Sequence, residues 1–498
     1  MNKFISAMSE NANLTYTENG APTRTTTMNM LMDMFALGAA YRSRSEEDCI
    51  LLFKNAYEEN PLYALKCLFY LRDVRGGQGE RRFFRVCMNW LAKHDVEAAR
   101  RNMELIPTYG RWDDLYCLVD TPLEGTMFAF IRKQLNFDIQ CKTPSLLAKW
   151  LKSENTSSKE SRELGNRTRE ALKMSHKQYR KVLSTLRERI NVLERLMSAG
   201  KWSEIEFDKI PSRAGLIYRN AFARHDIERM KQNPEAVSYE TFAKDTTTKV
   251  NADALYPYEC VDKANYCYNH DLEDTERLMV NKYWDNLHDY FQNATFNGMC
   301  VVDVSGSMFG SGAAAPINIA ISLGLYCADK AKGPYAGHFI TFSSKPEFVK
   351  VEGVDFCDKV RRMQNANWGM STNVEAAFDL ILDVAIQNNL AQEDIPENLL
   401  IVSDMEFNSC WTSTAYMDDS DTLFEAMAKK WVTAGYKMPK LVFWNVNARN
   451  DRIPMRDDGY ITYVSGASAS TFEMLMEGKS GLDFVMAKLD SERYAPIC

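Results

Sequence analysis

The chain has 498 residues, of which 45% are hydrophobic and 11% aromatic, enough apolar mass for two or three globular domains. It carries 60 Lys and Arg against 67 Asp and Glu, a net charge of −7, and no stretch approaches the roughly 18–20 apolar residues of a membrane span. Its 12 cysteines show no Cys-x-x-Cys spacing and its six histidines are scattered. This excludes the common zinc arrangements. With only a short apolar stretch near the N-terminus, it leads us to expect reduced thiols in a cytoplasmic protein.

Residues 1–44 read as an N-terminal arm: Thr15 to Thr27 is Thr-rich with Asn19-Gly20 and Pro22, a loop, and Met28 to Ala40 is a short Met-rich helix. From 45 to 295 the signal is helical. Ser45-x-x-Asp48 opens a helix with Ile50, Phe53 and Tyr57 on one face, and Pro61 opens the next. That helix ends at Arg72-Asp73-Val74-Arg75-Gly76-Gly77-Gln78-Gly79, and another starts at Glu80-Arg81-Arg82. The glycine run lacks the Gly-Lys-Ser/Thr of a phosphate loop and follows a helix, so it reads as a helix-to-helix turn. Pro107 stops a further helix before Arg111-Trp112-Asp113-Asp114. Short helices joined by short turns predict an α-helical, HEAT-like repeat domain with no strict period.

The net charge hides an asymmetry. Residues 142–231 hold 21 Lys and Arg and 11 Asp and Glu, a local +10, so the rest sums to −17. Lys149, Lys152, Arg167, Arg169, Lys173, Lys177, Arg180 and Lys181 intermix with Trp150 and Tyr179. Cations interleaved with aromatic rings suit phosphate contact with some base stacking, and these eight are the candidate RNA-binding residues. The alternative is a set of solvated helix faces. Residues 232–295 form a connector, with an acidic run at Asp271-Leu272-Glu273-Asp274 and anchor candidates Tyr283-Trp284 and Tyr290-Phe291.

From 296 to 498 strand and helix alternate. Strands are expected over 300–304, 338–342, 347–351, 399–403, 441–446 and 461–464, and helices over 316–331, 355–365, 373–388, 422–435 and 471–477. The uniformly apolar Leu399-Leu400-Ile401-Val402 suits a sheet covered on both faces, hence a doubly wound α/β domain. The first strand runs into Asp303-x-Ser305-x-Ser307, Trp368 to Asn373 precedes a helix, and the fourth strand ends on Ser403-Asp404. Asp303, Ser305, Ser307, Thr372 and Asp404 would meet at the carboxyl edge of the sheet. One or two carboxylates with hydroxyls suit Mg²⁺, or a similar cation such as Mn²⁺.

This pattern resembles the von Willebrand factor A domain with its metal-ion-dependent adhesion site, except that Met405-Glu406 follows the last Asp where the family often has Gly. With Arg72-Asp-x-Arg75-Gly-Gly-x-Gly79-Glu80-Arg81 and Arg111-Trp112-Asp113-Asp114, the whole chain resembles TROVE-like, Ro autoantigen-like proteins of two domains. The resemblance implies a helical ring closed by the A domain and a non-enzymatic, RNA-binding ribonucleoprotein component, monomeric, binding small structured or misfolded RNA. It also implies a metal with an open position for a partner's Asp or Glu. The alternative is a protein-interaction scaffold whose metal captures that carboxylate.

Overall fold

The computed structural model describes residues 8, 12–269, 274–292, 294–342, 345–364, 372–409, 413–418, 421–455 and 461–498, with backbone alone at 266–269 and 364. The chain is mixed α/β, an N-terminal helical region followed by a six-stranded mixed sheet. Trp368 to Ser371 and Asp271 to Glu273 lie outside the described residues.

Local chemistry accounts for where the helices begin. Ser45 caps the helix Glu46–Glu59 by accepting from Asp48 N, Pro61 occupies the first turn of Pro61–Arg72, and Ser175 and Gln178 form a reciprocal capping box on His176–Arg189. Between Pro61–Arg72 and Arg81–His94 the glycine turn is forced tight. A Cβ at Gly77 would fall 1.9 Å from Tyr70 O, and Gly79 sits at φ +64° against the Tyr256 hydroxyl.

The sheet consists of β3 (Gly298–Asp303), β4 (His338–Phe342), β5 (Glu347–Lys350), β6 (Asn398–Ser403), β7 (Lys440–Asn445) and β8 (Ile461–Ser465). Its order is β5-β4-β3-β6-β7-β8, parallel except for the edge strand β5. Every residue of β3 and β8 is buried, so both faces are covered, as the apolar runs require. The chain leaves β3 toward β4 on one side and returns to β6 on the other. The carboxyl ends of β3 and β6 therefore flank a crevice at the point where the strand order reverses.

The two halves are stitched by both chain ends. The hairpin of β1 (Leu14–Tyr16) and β2 (Pro22–Arg24) lies on the sheet half, with Thr17 Oγ1 donating to Phe407 O and Arg24 N to Ile453 O at 3.0 Å. The helix Met30–Leu37 has seven of eight residues buried; Phe35 stacks on Tyr70 at 4.9 Å and meets Phe484 edge-on. In return Arg493 and Tyr494 donate to the fully buried Asp73, and Cys498 N donates to Asn102 Oδ1 at 3.0 Å. Gln78 of the glycine turn donates to Tyr70 Oη at 2.8 Å and Thr471 Oγ1 at 3.0 Å, tying the turn to the sheet half. In the connector, Trp284 stacks on Phe356 at 4.0 Å and donates to Asp329.

Candidate functional site

Two features stand out, and both are built from charge. The first is a cavity of about 1660 Å³ in the helical half, reached by Ala314 of the sheet half. Eleven cationic side chains line it against three acidic ones, a formal +8.

Five of these cations have carboxylate partners. Arg72 gives two hydrogen bonds, at 2.9 and 2.6 Å, to Asp114, which is fully buried. Arg111 pairs with Asp113, Arg42 with Glu80, Arg195 with Glu188 and Arg213 with Glu259. Of the other six, Arg187 is used up on Ala148 O, Leu151 O and Ser153 Oγ, and Arg82 lies 3.6 Å from Cys49 Sγ. Arg75, Arg81, Lys149 and Arg180 remain, without a carboxylate partner among the described residues. Burial pushes the Arg111 guanidinium below its usual value; Asp113 opposes this, and Arg81 adds to the depression. Two guanidiniums that repel each other in one cavity favour an anion between them.

Aromatic rings share the wall. Arg111 lies over Trp150 at 4.0 Å, Trp112 stacks on Phe130, and Tyr256 stacks on Tyr258 at 5.8 Å. Of the eight residues singled out from sequence, Lys149 and Arg180 line the cavity. Arg167 is paired with Asp120, Arg169 with Glu154, and Lys152 lies 3.8 Å from Asp113. Lys173, Lys177 and Lys181 are exposed outside the cavity lining. Sequence reasoning missed Arg75 and Arg81, although four arginines within residues 72–82 were a visible signal.

The second feature is the acidic centre at the carboxyl edge of β3 and β6. Asp303 accepts from Ser305 N at 2.9 Å and Ser403 Oγ at 2.6 Å; Ser305 and Ser307 hydroxyls lie 3.1 Å apart; Asp404 Oδ1 accepts from Glu406 N at 3.3 Å. Asp303 and Asp404 are both buried. Burial first, and Asp404 second, push the Asp303 carboxyl up to about 7. Burial likewise raises Asp404, against the pull of Arg449. Thr372 is buried, and its carbonyl accepts from Asn408 N at 3.0 Å, the contact that joins it to this segment.

Three groups absent from the sequence reading, Arg449, Arg452 and Glu18, and a fourth noted there only as a departure, Glu406, complete the centre. Arg449 Nη2 lies 3.2 Å from Asp404 Oδ2, and its Nη1 2.8 Å from Glu18 Oε2 in the turn of the β1–β2 hairpin. Glu406, fully buried, accepts from Glu18 N at 2.6 Å and lies 3.7 Å from Arg452. Asp303, Asp404, Glu406 and Glu18 against Arg449 and Arg452 leave a formal −2. Asp404 Oδ2 is buried with no hydrogen-bond donor. Among the described residues no group of three or more His, Cys, Asp or Glu side chains forms a ready-made metal cage. What the centre offers is two buried carboxylates, hydroxyls, an orphaned oxygen and a charge deficit of two. That set fits a hard divalent cation completed by water.

A helical region joined to a six-stranded sheet, with a basic cavity in one half and an acidic centre in the other, defines a two-part α and α/β protein. The chain belongs to the family described as a domain of unknown function (DUF2828), whose model matches residues 17–138 and 133–295, while the domain of unknown function DUF7788 matches 297–493. It is 32% identical over 507 residues to "Uncharacterized protein L728" of Acanthamoeba polyphaga mimivirus, a match spanning 94% of this chain and 85% of the relative. These matches correct the resemblance drawn from the sequence. No TROVE or von Willebrand factor A family model matches, so the TROVE-like, Ro autoantigen-like kinship does not stand. The motifs behind it were short. A carboxylate with hydroxyls at the carboxyl edge of a parallel sheet is open to any α/β chain, whatever its ancestry.

No helix among the described residues is long and apolar enough to cross a membrane.

Proposed function

We propose that the chain is a non-enzymatic RNA-binding protein, a ribonucleoprotein component, that holds single-stranded RNA in the basic cavity. The observation that carries this reading is the gathering, in one cavity with stacking rings, of four cations that have no carboxylate partner among the described residues. The cavity exceeds the roughly 300–1,000 Å³ typical of small-ligand pockets, which favours a stretch of polymer over a metabolite. Arg75, Arg81, Lys149 and Arg180 are available to phosphates, and Trp112, Trp150 and Tyr256 offer faces for bases without sequence preference. In this reading the helices form HEAT-like hairpins, the sheet is doubly wound, and the protein acts as a cytoplasmic monomer. The test is photo-crosslinking of oligouridine to the full chain followed by peptide mapping. Adducts are expected on Trp112, Trp150 or Tyr256; adducts confined to the exposed face carrying Lys173, Lys177 and Lys181 would refute the assignment to the cavity.

The acidic centre favours a second, compatible role in holding a protein partner. In this role Asp303, Asp404, Ser305, Ser307 and Thr372 would together hold Mg²⁺ or Mn²⁺. A divalent ion supplies there a water-bearing position that an Asp or Glu of a partner can take. Ser403 and Ser305 fix the Asp303 carboxylate for that task.

A further inference from the structure

Arg449 stands between two carboxylates of unequal surroundings. Asp404 is fully buried, Glu18 is half exposed, and Arg449 itself is one-third exposed, at the boundary between them. The contact to Asp404 is 3.2 Å and supplies no aligned hydrogen bond, since both Asp404 Oδ2 and Arg449 Nε are buried without partners. The contact to Glu18 is shorter, at 2.8 Å.

Glu18 is held firmly where it is. Its backbone N–H donates to Glu406, its Oε1 accepts from Asn450 Nδ2 at 2.8 Å, and Asn19 on the next position donates to Glu406 O at 2.6 Å. Asn450 Nδ2 also donates to Glu406 Oε1 at 3.0 Å, and Arg452 faces the same carboxylate. The hairpin turn therefore presents a fixed acceptor beside the acidic centre, from residues some 385 positions away in the chain.

We propose that Arg449 is the resident counter-cation of the acidic centre, and that it passes from Asp404 to Glu18 when a divalent cation binds. The proposal rests on the metal reading given above. Its physical basis is charge compensation. A buried Asp404 deprived of the one cation paired with it among the described residues would be strongly destabilised, so Arg449 leaves only when another positive charge arrives. Glu18 makes the departure feasible because it already shares the guanidinium. Arg449 thereby competes with the metal, and the N-terminal hairpin sets how strongly it competes.

The two partners of Arg449 give opposite signs. In Arg449→Gln the competing cation is gone, and Mn²⁺ measured by calorimetry on the full chain should bind at least about tenfold more tightly than to the wild type. In Glu18→Gln the alternative acceptor is gone, Arg449 settles on Asp404, and Mn²⁺ should bind several-fold more weakly. Glu18 lies on an exposed turn, so this variant reports even if Arg449→Gln fails to fold. Equal affinities in wild type and both variants, or shifts of the same sign, would overturn the exchange while leaving the metal site standing. Absence of Mn²⁺ binding from all three, Arg449→Gln included, would overturn the metal site and the exchange with it. Asp303→Ala, which removes a ligand, is the baseline for non-specific uptake.

Discussion

Replacing both Arg75 and Arg81 by Gln tests the cavity through its electrostatics. Among the described residues six cations of the lining lack carboxylate partners; Arg187 and Arg82 are engaged elsewhere, which leaves Arg75, Arg81, Lys149 and Arg180 to meet phosphates. Single-stranded nucleic acid contributes about −0.7 to the slope of log affinity against log salt per phosphate contacted, so four contacts give about −2.8. Raising salt from about 50 to 200 mM should then weaken oligouridine binding by about 50-fold in the wild type. The double variant keeps two contacts, a slope near −1.4 and a loss of about sevenfold over the same range. Fluorescence anisotropy of a labelled 12-mer across four salt concentrations measures both slopes. Both arginines are exposed and make no ion pair among the described residues, so stability should change by less than about 0.5 kcal/mol. A double variant with the wild-type slope would show that the phosphates lie elsewhere, whatever happened to the affinity at one salt concentration.

Two further outcomes follow from the buried framework. Arg72→Leu leaves Asp114, fully buried, without its two-hydrogen-bond partner, although Arg85 at 2.7 Å and Arg111 N at 2.8 Å still reach it. Urea unfolding should show a loss toward 3–5 kcal/mol, the range for breaking a buried pair, and a loss below about 1 kcal/mol would mean that Arg85 and the Arg111 N–H together suffice. Asp95 caps the helix Val96–Met103, and the Ala98 N–H, then Tyr57 Oη, hold its carboxyl below the usual range. A depressed carboxylate stabilises above its unfolded-state value and stops doing so as pH falls through its folded-state value. Asp95→Ala should therefore cost about 1 kcal/mol at pH 7 and progressively less as the pH is lowered below about 4; a cost independent of pH would refute the assignment.

The sheet was legible because its signal is local. The buried strands carry apolar runs bounded by turns, while the edge strand β5 is half-exposed; β6 differs from its expected span only by Asn398 at the start. The Asp303, Ser305, Ser307 and Asp404 cluster was legible for the same reason, since each residue leaves a strand end at the sheet's carboxyl edge. The helix Gly481–Leu489 was not, being under three turns long and buried through Phe484 against Phe35 from the far end of the chain. Charge was the least legible quantity. Composition pointed to residues 142–231, yet Arg167 and Arg169 there are paired with Asp120 and Glu154. The free cations of the glycine turn, by contrast, belong to a segment whose local sequence says only "turn". Which charges survive folding unpaired depends on partners dozens of residues away, and no periodicity encodes that.

The crossed anchoring of the chain ends also bears on synthesis. The β1–β2 hairpin rests on residues 406–453, and Asp73 waits for Arg493 and Tyr494. A nascent chain therefore presents its helical half long before the surfaces that complete it exist. At roughly 5–20 residues per second, that interval lasts on the order of 20 seconds or more. Throughout it, the apolar helix Met30–Leu37 and the uncompensated Asp73 lack their final partners. Contacts of such sequence separation are slow to form, and the early half is open to aggregation until the two ends meet.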